Sequence, residues 1–218
     1  MKPIKVLITA GPTREAIDPV RYISNHSTGK MGIAIAEAFA AEGCEVSLIL
    51  GATHLKPSLP MQIISVESAQ EMYNACVKIY AETDISIFAA AVADYTPKDV
   101  SNDKIKKNNN SWQLELVKTK DIAFEMGLLK SSKQVNVVFA LETNNEIEHA
   151  RQKLEKKNAD FVVLNSMRDS GAGFGFDTNK ISLLYINGLT TNFALQSKQS
   201  LAKIIVKEAL QCFHNKQE

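Results

Sequence analysis

The chain has 218 residues, 45% of them hydrophobic and 22% charged, with 25 Lys+Arg against 24 Asp+Glu. At roughly 100–200 residues per domain this is one large domain, or one with an appendage, long enough to bury a core without disulfide or metal staples. A formal net charge of +1 supplies no long-range field to recruit nucleic acid or an anionic membrane, and no stretch approaches the ~18 apolar residues of a membrane span.

Apolar runs of strand length alternate with segments of helical period. The β-branched run at 4–9 predicts a strand buried on both faces. Gly29 and Lys30 then open a helix over 31–42, which stops at Gly43. A strand at 45–50 follows, then a short strand at 61–65. The helix over 68–80 opens on Ser68 with Glu71 three residues on, the signature of a capping box. Further strands are expected at 85–91, 135–140 and 161–165, with a short helix within 118–129 and a helix over 146–157. Near the end, runs at 181–186 and 189–193 flank Asn187-Gly188 and predict a hairpin with a type I′ turn. A last amphipathic helix covers 200–213. This alternation predicts an α/β domain: a Rossmann-like parallel sheet flanked by helices, with the hairpin as a small appendage.

Two segments do not fit a compact sheet: about twenty residues between Thr9 and Lys30, and the run from Tyr95 to about Trp112, which includes the triplet Asn108-Asn109-Asn110. Structureless loops this long are usually functional or disordered. Cys44, Cys76 and Cys212 stand far apart with no C-x-x-C pair, as packed or idle thiols of a reducing compartment do. The N-terminal apolar run is too short for a secretory signal, so the expected location is cytoplasmic. His26, His54, His149 and His214 lack zinc-type spacing, and no metal-ligand set is assigned.

The first loop is the richest in chemistry. It leaves the C-terminal end of the first strand through Gly11 and enters the first helix through Ser27, Thr28, Gly29 and Lys30. Open α/β sheets bind ligands there, and free N–H groups at a helix start favour an anion, with a phosphate as the natural guest. Walker A fails because Met31 follows Lys30, and the G-x-G-x-x-G fingerprint is absent, which disfavours a nicotinamide dehydrogenase. The plainer reading is that Gly29 and Gly32 only shape a turn and pack a helix. A second feature, Phe88-Ala89-Ala90-Ala91 leading to Asp94, lets a planar ligand approach the backbone; alone, it reads better as a packing strip and a turn aspartate. Lys104, Lys106 and Lys107 suit a loop closing over a polyphosphate, or a solvated basic loop. Lys153 and Lys157, four apart, share a helix face; spacing alone favours plain surface lysines. The glycine-rich stretch 171–179 suits a lid or an interface loop.

Together these pieces resemble the phosphopantothenate–cysteine ligase family over nearly the whole chain. The resemblance is carried by ITAGPTREAIDPVRYISNHSTGKMG at 8–32, AAAVADY at 89–95, KIKK at 104–107, VKTKDI at 117–122, VFALETN at 138–144 and ARQKLEKKNADFVVLN at 150–165. It implies a ligase of coenzyme A biosynthesis that joins 4′-phosphopantothenate to L-cysteine through an acyl-cytidylate, converting CTP to CMP and pyrophosphate. Mg²⁺ accompanies the CTP, and the family is homodimeric. With no decarboxylase domain ahead of Met1, the resemblance implies a stand-alone form whose decarboxylase partner is a separate protein.

Carried over by position, the resemblance makes Asn25 the asparagine that turns over the acyl-cytidylate and Lys104 the loop lysine that helps form it. It makes Phe88, Ala89, Ala90, Asp94, Phe139, Lys153 and Lys157 nucleotide contacts, with Lys120, Asp121, Ile122 and Ala123 as a nucleotide-binding turn. Gly11, Ser27, Gly29 and Lys30 form the phosphate and substrate loop. The family turn often has proline where Lys120 stands, which leaves that part of the site less defined. Two rivals on the same fold remain: an oxidoreductase, which would need a dinucleotide, and a nucleotide-sensing module, which would bind CTP without turnover.

Overall fold

The computed structural model describes residues 2–107, 111–142, 144–166, 173 and 175–218. The asparagine triplet, Thr143 and positions 171, 172 and 174 of the glycine-rich stretch lie outside the described residues.

In chain order the elements are β1 (Lys5–Ala10), β2 (Arg14–Asp18), β3 (Arg21–Ser24), α1 (Lys30–Ala41), β4 (Glu45–Leu50), β5 (Gln62–Ser65), α2 (Ala69–Tyr80), β6 (Ile85–Phe88), β7 (Tyr95–Pro97), β8 (Leu116–Lys118), α3 (Ile122–Leu129), β9 (Val135–Glu142), α4 (Glu146–Lys156), β10 (Phe161–Ser166), β11 (Thr178–Tyr185), β12 (Thr190–Ser197) and α5 (Lys198–Gln217). Eight strands form the main sheet in the order β12-β11-β10-β9-β6-β1-β4-β5. From β5 to β10 every neighbour is parallel, whereas β11 and β12 run antiparallel at one edge. The chain builds outward from β1 to β4 and β5, then returns to β6 on the other side of β1. That reversal makes β1 and β6 the topological switch point of a doubly wound sheet.

Side chains alternate across the strands, so both faces are apolar. Val6 and Ile8 of β1 face a cluster containing Ile35 and Phe39 of α1 and Leu201 and Ile205 of α5. Leu7 faces the opposite cluster, with Met72 and Cys76 of α2, Met126 of α3 and Leu154 of α4. Burial pushes the Cys76 thiol up to about 12, so this cysteine is a packed apolar group.

Four local expectations change. The segment between Thr9 and Lys30 is not structureless: β2 and β3 pair as an antiparallel ribbon, its turn organised by Asp18 Oδ1 accepting from the backbone of Val20 and Arg21. The second loop is shorter than 95–112, because β7 pairs with β8 at its base. Ser68 caps α2 by accepting from Glu71 N, but the Glu71 carboxylate accepts from Glu67 N, one residue earlier than in a capping box. The hairpin turn is not type I′, since Gly188 (φ 88°) has positive φ but Asn187 does not. Tyr185 N instead bonds Leu189 O, and the three-residue loop ends on the left-handed glycine of a bulge. That hairpin extends the main sheet and is continuous with it.

Candidate functional site

The site forms where the loops after β1 and β6 meet. Gly32 lets α1 lie directly on β1, because a Cβ there would stand 2.5 Å from the Cβ of Ala10. Gly29, in the left-handed region at φ 80°, would place a Cβ 3.2 Å from the Cα of Gly11. Gly11 is therefore a floor under the loop. These glycines do shape a turn and pack a helix, and the same packing leaves the helix start without a side-chain cap. No side chain caps α1, and Gly29 N donates to Ser27 Oγ at 3.3 Å. The first-turn amides are left for a ligand, with the macrodipole behind them.

The loop after β6 is held by its backbone. Ala90 N donates to Thr9 Oγ1, Ala91 N to Gly11 O, and Ala93 N to the buried Thr13 Oγ1 at 3.0 Å. Thr119 donates through Oγ1 to Ala93 O and through N to Asp94 O. Asn25 Nδ2 adds a bond to Ala91 O at 3.0 Å. Nothing bulky intervenes, so the alanine run leaves its backbone open to a ligand.

Two adjoining cavities, of about 340 and 310 Å³, share Ala90, Val92, Asp94 and Phe139 as their common wall. The first also takes in Phe88, the turn Lys120–Ala123 and Lys157. The second takes in Asn25, Ser27, Gly29, Lys30, Ala89 and Lys153. Lys153 and Lys157 thus reach one cavity each, although their spacing alone suggests plain surface. Lys153 is bridged to Glu142 at 2.6 Å, and Lys157 to Asp121 at 2.9 Å. Asp121 also caps α3 by accepting from Phe124 N. Lys120 carries its charge over the Tyr73 ring, 4.0 Å from the centroid.

Two expected residues line neither cavity. Gly11 is the floor described above. Lys104 is exposed on a segment pinned beside it: Ile105 N donates to Asp18 Oδ2 at 3.1 Å, and Arg21 donates to Ile105 O while pairing with Asp18 at 2.8 Å. Burial pushes the Asp18 carboxyl up, but hydrogen bonds from Val20, Ile105 and Arg21 and the Arg21 charge outweigh it and hold the group below the usual carboxylate range.

Three polar residues lining the second cavity were not assigned to the site from the sequence: Asn165, Asn179 and Lys198. Asn165 is the penultimate residue of β10, and the rule that open sheets bind ligands at carboxyl ends of strands could have found it. Lys198 begins α5, distant in sequence from the other lining residues, and no local pattern marks it.

A family model described as the DNA/pantothenate metabolism flavoprotein C-terminal domain matches residues 1–213. Over 211 residues the chain is 48% identical to a protein named cysteine/cysteine sulfinic acid decarboxylase from an unknown prokaryotic organism, covering 96% of this chain and 59% of that one. It is 45% identical over 208 residues to the coenzyme A biosynthesis bifunctional protein CoaBC of Haemophilus influenzae, covering 95% of this chain and 52% of that one. The chain thus spans about half the length of the curated relatives it matches. The crystal structure of the C-terminal domain of a CoaBC protein superposes with a TM-score of 0.84 at 38% identity, covering 99% of this chain and 98% of that one. A DNA/pantothenate metabolism flavoprotein from Streptococcus pneumoniae superposes with a TM-score of 0.82 at 26% identity, covering 97% of this chain and all of that one.

Proposed function

The chain belongs to the DNA/pantothenate metabolism flavoprotein C-terminal domain family, and from that premise we propose that it is a ligase joining 4′-phosphopantothenate to L-cysteine at the expense of CTP. One observation carries the reading: Asn25, Asp94 and Lys153 line a single cavity that adjoins a second one lined by Lys120, Phe139 and Lys157. An acid and a nucleotide can therefore lie side by side across the Ala90–Asp94 wall.

In the first step a carboxylate oxygen of 4′-phosphopantothenate attacks the α-phosphorus of CTP. The bond from that phosphorus to the bridging oxygen breaks, pyrophosphate leaves, and an acyl-cytidylate remains. In the second step the amine of cysteine attacks the acyl carbon, the C–O bond to CMP breaks, and the amine proton passes to solvent. The α1 amides and Lys30 hold phosphate oxygens, the Phe139 cavity takes the cytidine, and Lys104 approaches from the 98–107 segment to neutralise charge in the first step. One proton of the Asn25 amide is engaged by Ala91 O. The other remains to donate to the acyl oxygen as charge grows there.

Mg²⁺ travelling with CTP would screen the phosphates. Asp94, an exposed carboxylate on the wall between the cavities, suits a cation held by one carboxylate plus phosphate oxygens. Val20, Tyr22 and Trp112 are each more than half exposed on the small ribbons and the segment between them, which supports a homodimer through that face. No helix among the described residues is long and apolar enough to cross a membrane.

The test is parallel turnover with CTP and with ATP. Purified protein given 4′-phosphopantothenate, cysteine and Mg²⁺ should form 4′-phosphopantothenoylcysteine, CMP and pyrophosphate in equal amounts with CTP. No amide product with either nucleotide would refute the proposal.

A further inference from the structure

We infer that Lys198 is a further substrate-binding residue, the cation that grips the end of the triphosphate released as pyrophosphate. This rests on the ligase reading above.

Lys198 stands where a lysine is unexpected. It is the first residue of α5, where the helix macrodipole favours negative charge, and it is only 6% exposed. A buried ammonium is costly unless something compensates it. Its Nζ donates to Phe176 O at 2.7 Å and to Gly173 O at 3.2 Å, which uses two of its three protons. Asp177 is already bridged by Lys30 at 2.7 Å. Burial and the Lys30 charge pull the Lys198 amine below the usual lysine range, opposed by Asp177. A polyanion in the cavity would complete the set: it takes the third proton and offsets two neighbouring positive charges.

The surroundings point to the same guest. Lys180 N donates to Asn179 Oδ1, and Asn179 Nδ2 donates to Asn165 Oδ1 at 3.1 Å. That relay fixes the orientation of Asn165 and leaves its amide N–H groups, rather than its oxygen, for the cavity. Among the described residues lining this cavity are three lysines, Lys30, Lys153 and Lys198, and one carboxylate, Asp94; Lys30 and Lys153 are bridged to Asp177 and Glu142, and Lys198 to neither. Asp94 is on the wall shared with the nucleotide cavity, whereas Lys198 lines only the far cavity and the hollow beyond it. With cytidine against Phe139, the terminal phosphates extend towards Lys198, Asn165 and the start of α1.

Calorimetric titration of inorganic pyrophosphate and of CMP separates the two ends of the site. Lys198→Met should weaken pyrophosphate binding about tenfold or more, the size of one lost hydrogen bond between charged groups. CMP binding should stay within about twofold, and Lys198→Arg should recover much of the lost affinity. Unchanged pyrophosphate affinity in folded Lys198→Met, with only a lower melting temperature, would overturn the inference. Should that variant not fold, hydrogen exchange on the unaltered protein decides. Pyrophosphate, and not CMP, should slow exchange at 175–177 and 198–201; no such protection would overturn it. Amide product formed while pyrophosphate ignores Lys198 removes this inference alone. Failure to form amide product refutes the ligase reading, and the assignment of the anion as a leaving group with it.

Discussion

Asn25 and Ala91 are joined by one hydrogen bond, from Nδ2 to the main-chain oxygen at 3.0 Å, across 66 positions of sequence. The bond ties the loop entering α1 to the loop leaving β6, so the amide is oriented by the switch point itself. In Asn25→Ala, pyrophosphate release should persist while amide formation falls about 10²-fold, the usual cost of losing one donor to a developing oxyanion. Rapid-quench chromatography should then show acyl-cytidylate accumulating. Equal slowing of both steps, with no intermediate, would mean that Asn25 acts elsewhere.

Gly32 tests how α1 is seated. A Cβ at this position meets the Ala10 Cβ at 2.5 Å, and β1 is buried on both faces, so neither element yields easily. Gly32→Ala should therefore destabilise the fold by about 1–3 kcal/mol, as overpacking does. It should also weaken nucleotide binding by lifting the helix start. Urea melts and CTP titration measure both; a wild-type midpoint would show that the helix shifts freely.

Lys104 is exposed and outside both cavities, so Lys104→Ala should leave the unfolding free energy from urea melts within about 0.5 kcal/mol of wild type, as surface changes do. Its cost should fall on the first chemical step, seen as slower pyrophosphate release in a single turnover. An unchanged burst would remove Lys104 from the mechanism.

Asp18 anchors that lysine's segment through Ile105 N, and its carboxyl is held below the ordinary range. Folding thus favours the ionised form. The resulting stability is fully present above the unfolded value of about 3.9, and is lost as pH falls through the folded one. The stability gap between wild type and Asp18→Asn should stay constant near neutrality and shrink below about pH 4. Urea melts across pH 3–7 measure it; a gap independent of pH would show that Asp18 contributes no ionisation-linked stability.

The doubly wound sheet was legible because the central strands β1, β6, β9 and β10 carry mostly apolar runs, and α2 and α4 between strands are amphipathic. Much of the pocket lining was legible too, through Asn25, the alanine run and the turn Lys120–Ala123. Arg14–Asp18 and Arg21–Ser24 were missed as strands because a two-stranded ribbon outside the core needs no apolar alternation. The turn at Asn187-Gly188 misled because Asn-Gly serves type I′ and bulged turns alike, and strand register decides between them. Lys198 was invisible because its burial depends on Gly173, Phe176 and Asp177, ahead of β11, folding onto the start of α5. Lys153 and Lys157 read as surface until α4, which starts beyond the carboxyl end of β9 and runs back along the sheet, was seen to bring one to each cavity.

Oxygen labelling tests the acyl-cytidylate most directly. With 4′-phosphopantothenate carrying ¹⁸O in its carboxylate, attack of that oxygen on the α-phosphorus should leave one labelled oxygen in the phosphate of CMP, with pyrophosphate unlabelled. Amide product accompanied by unlabelled CMP would mean that the carboxylate never bonded to the nucleotide.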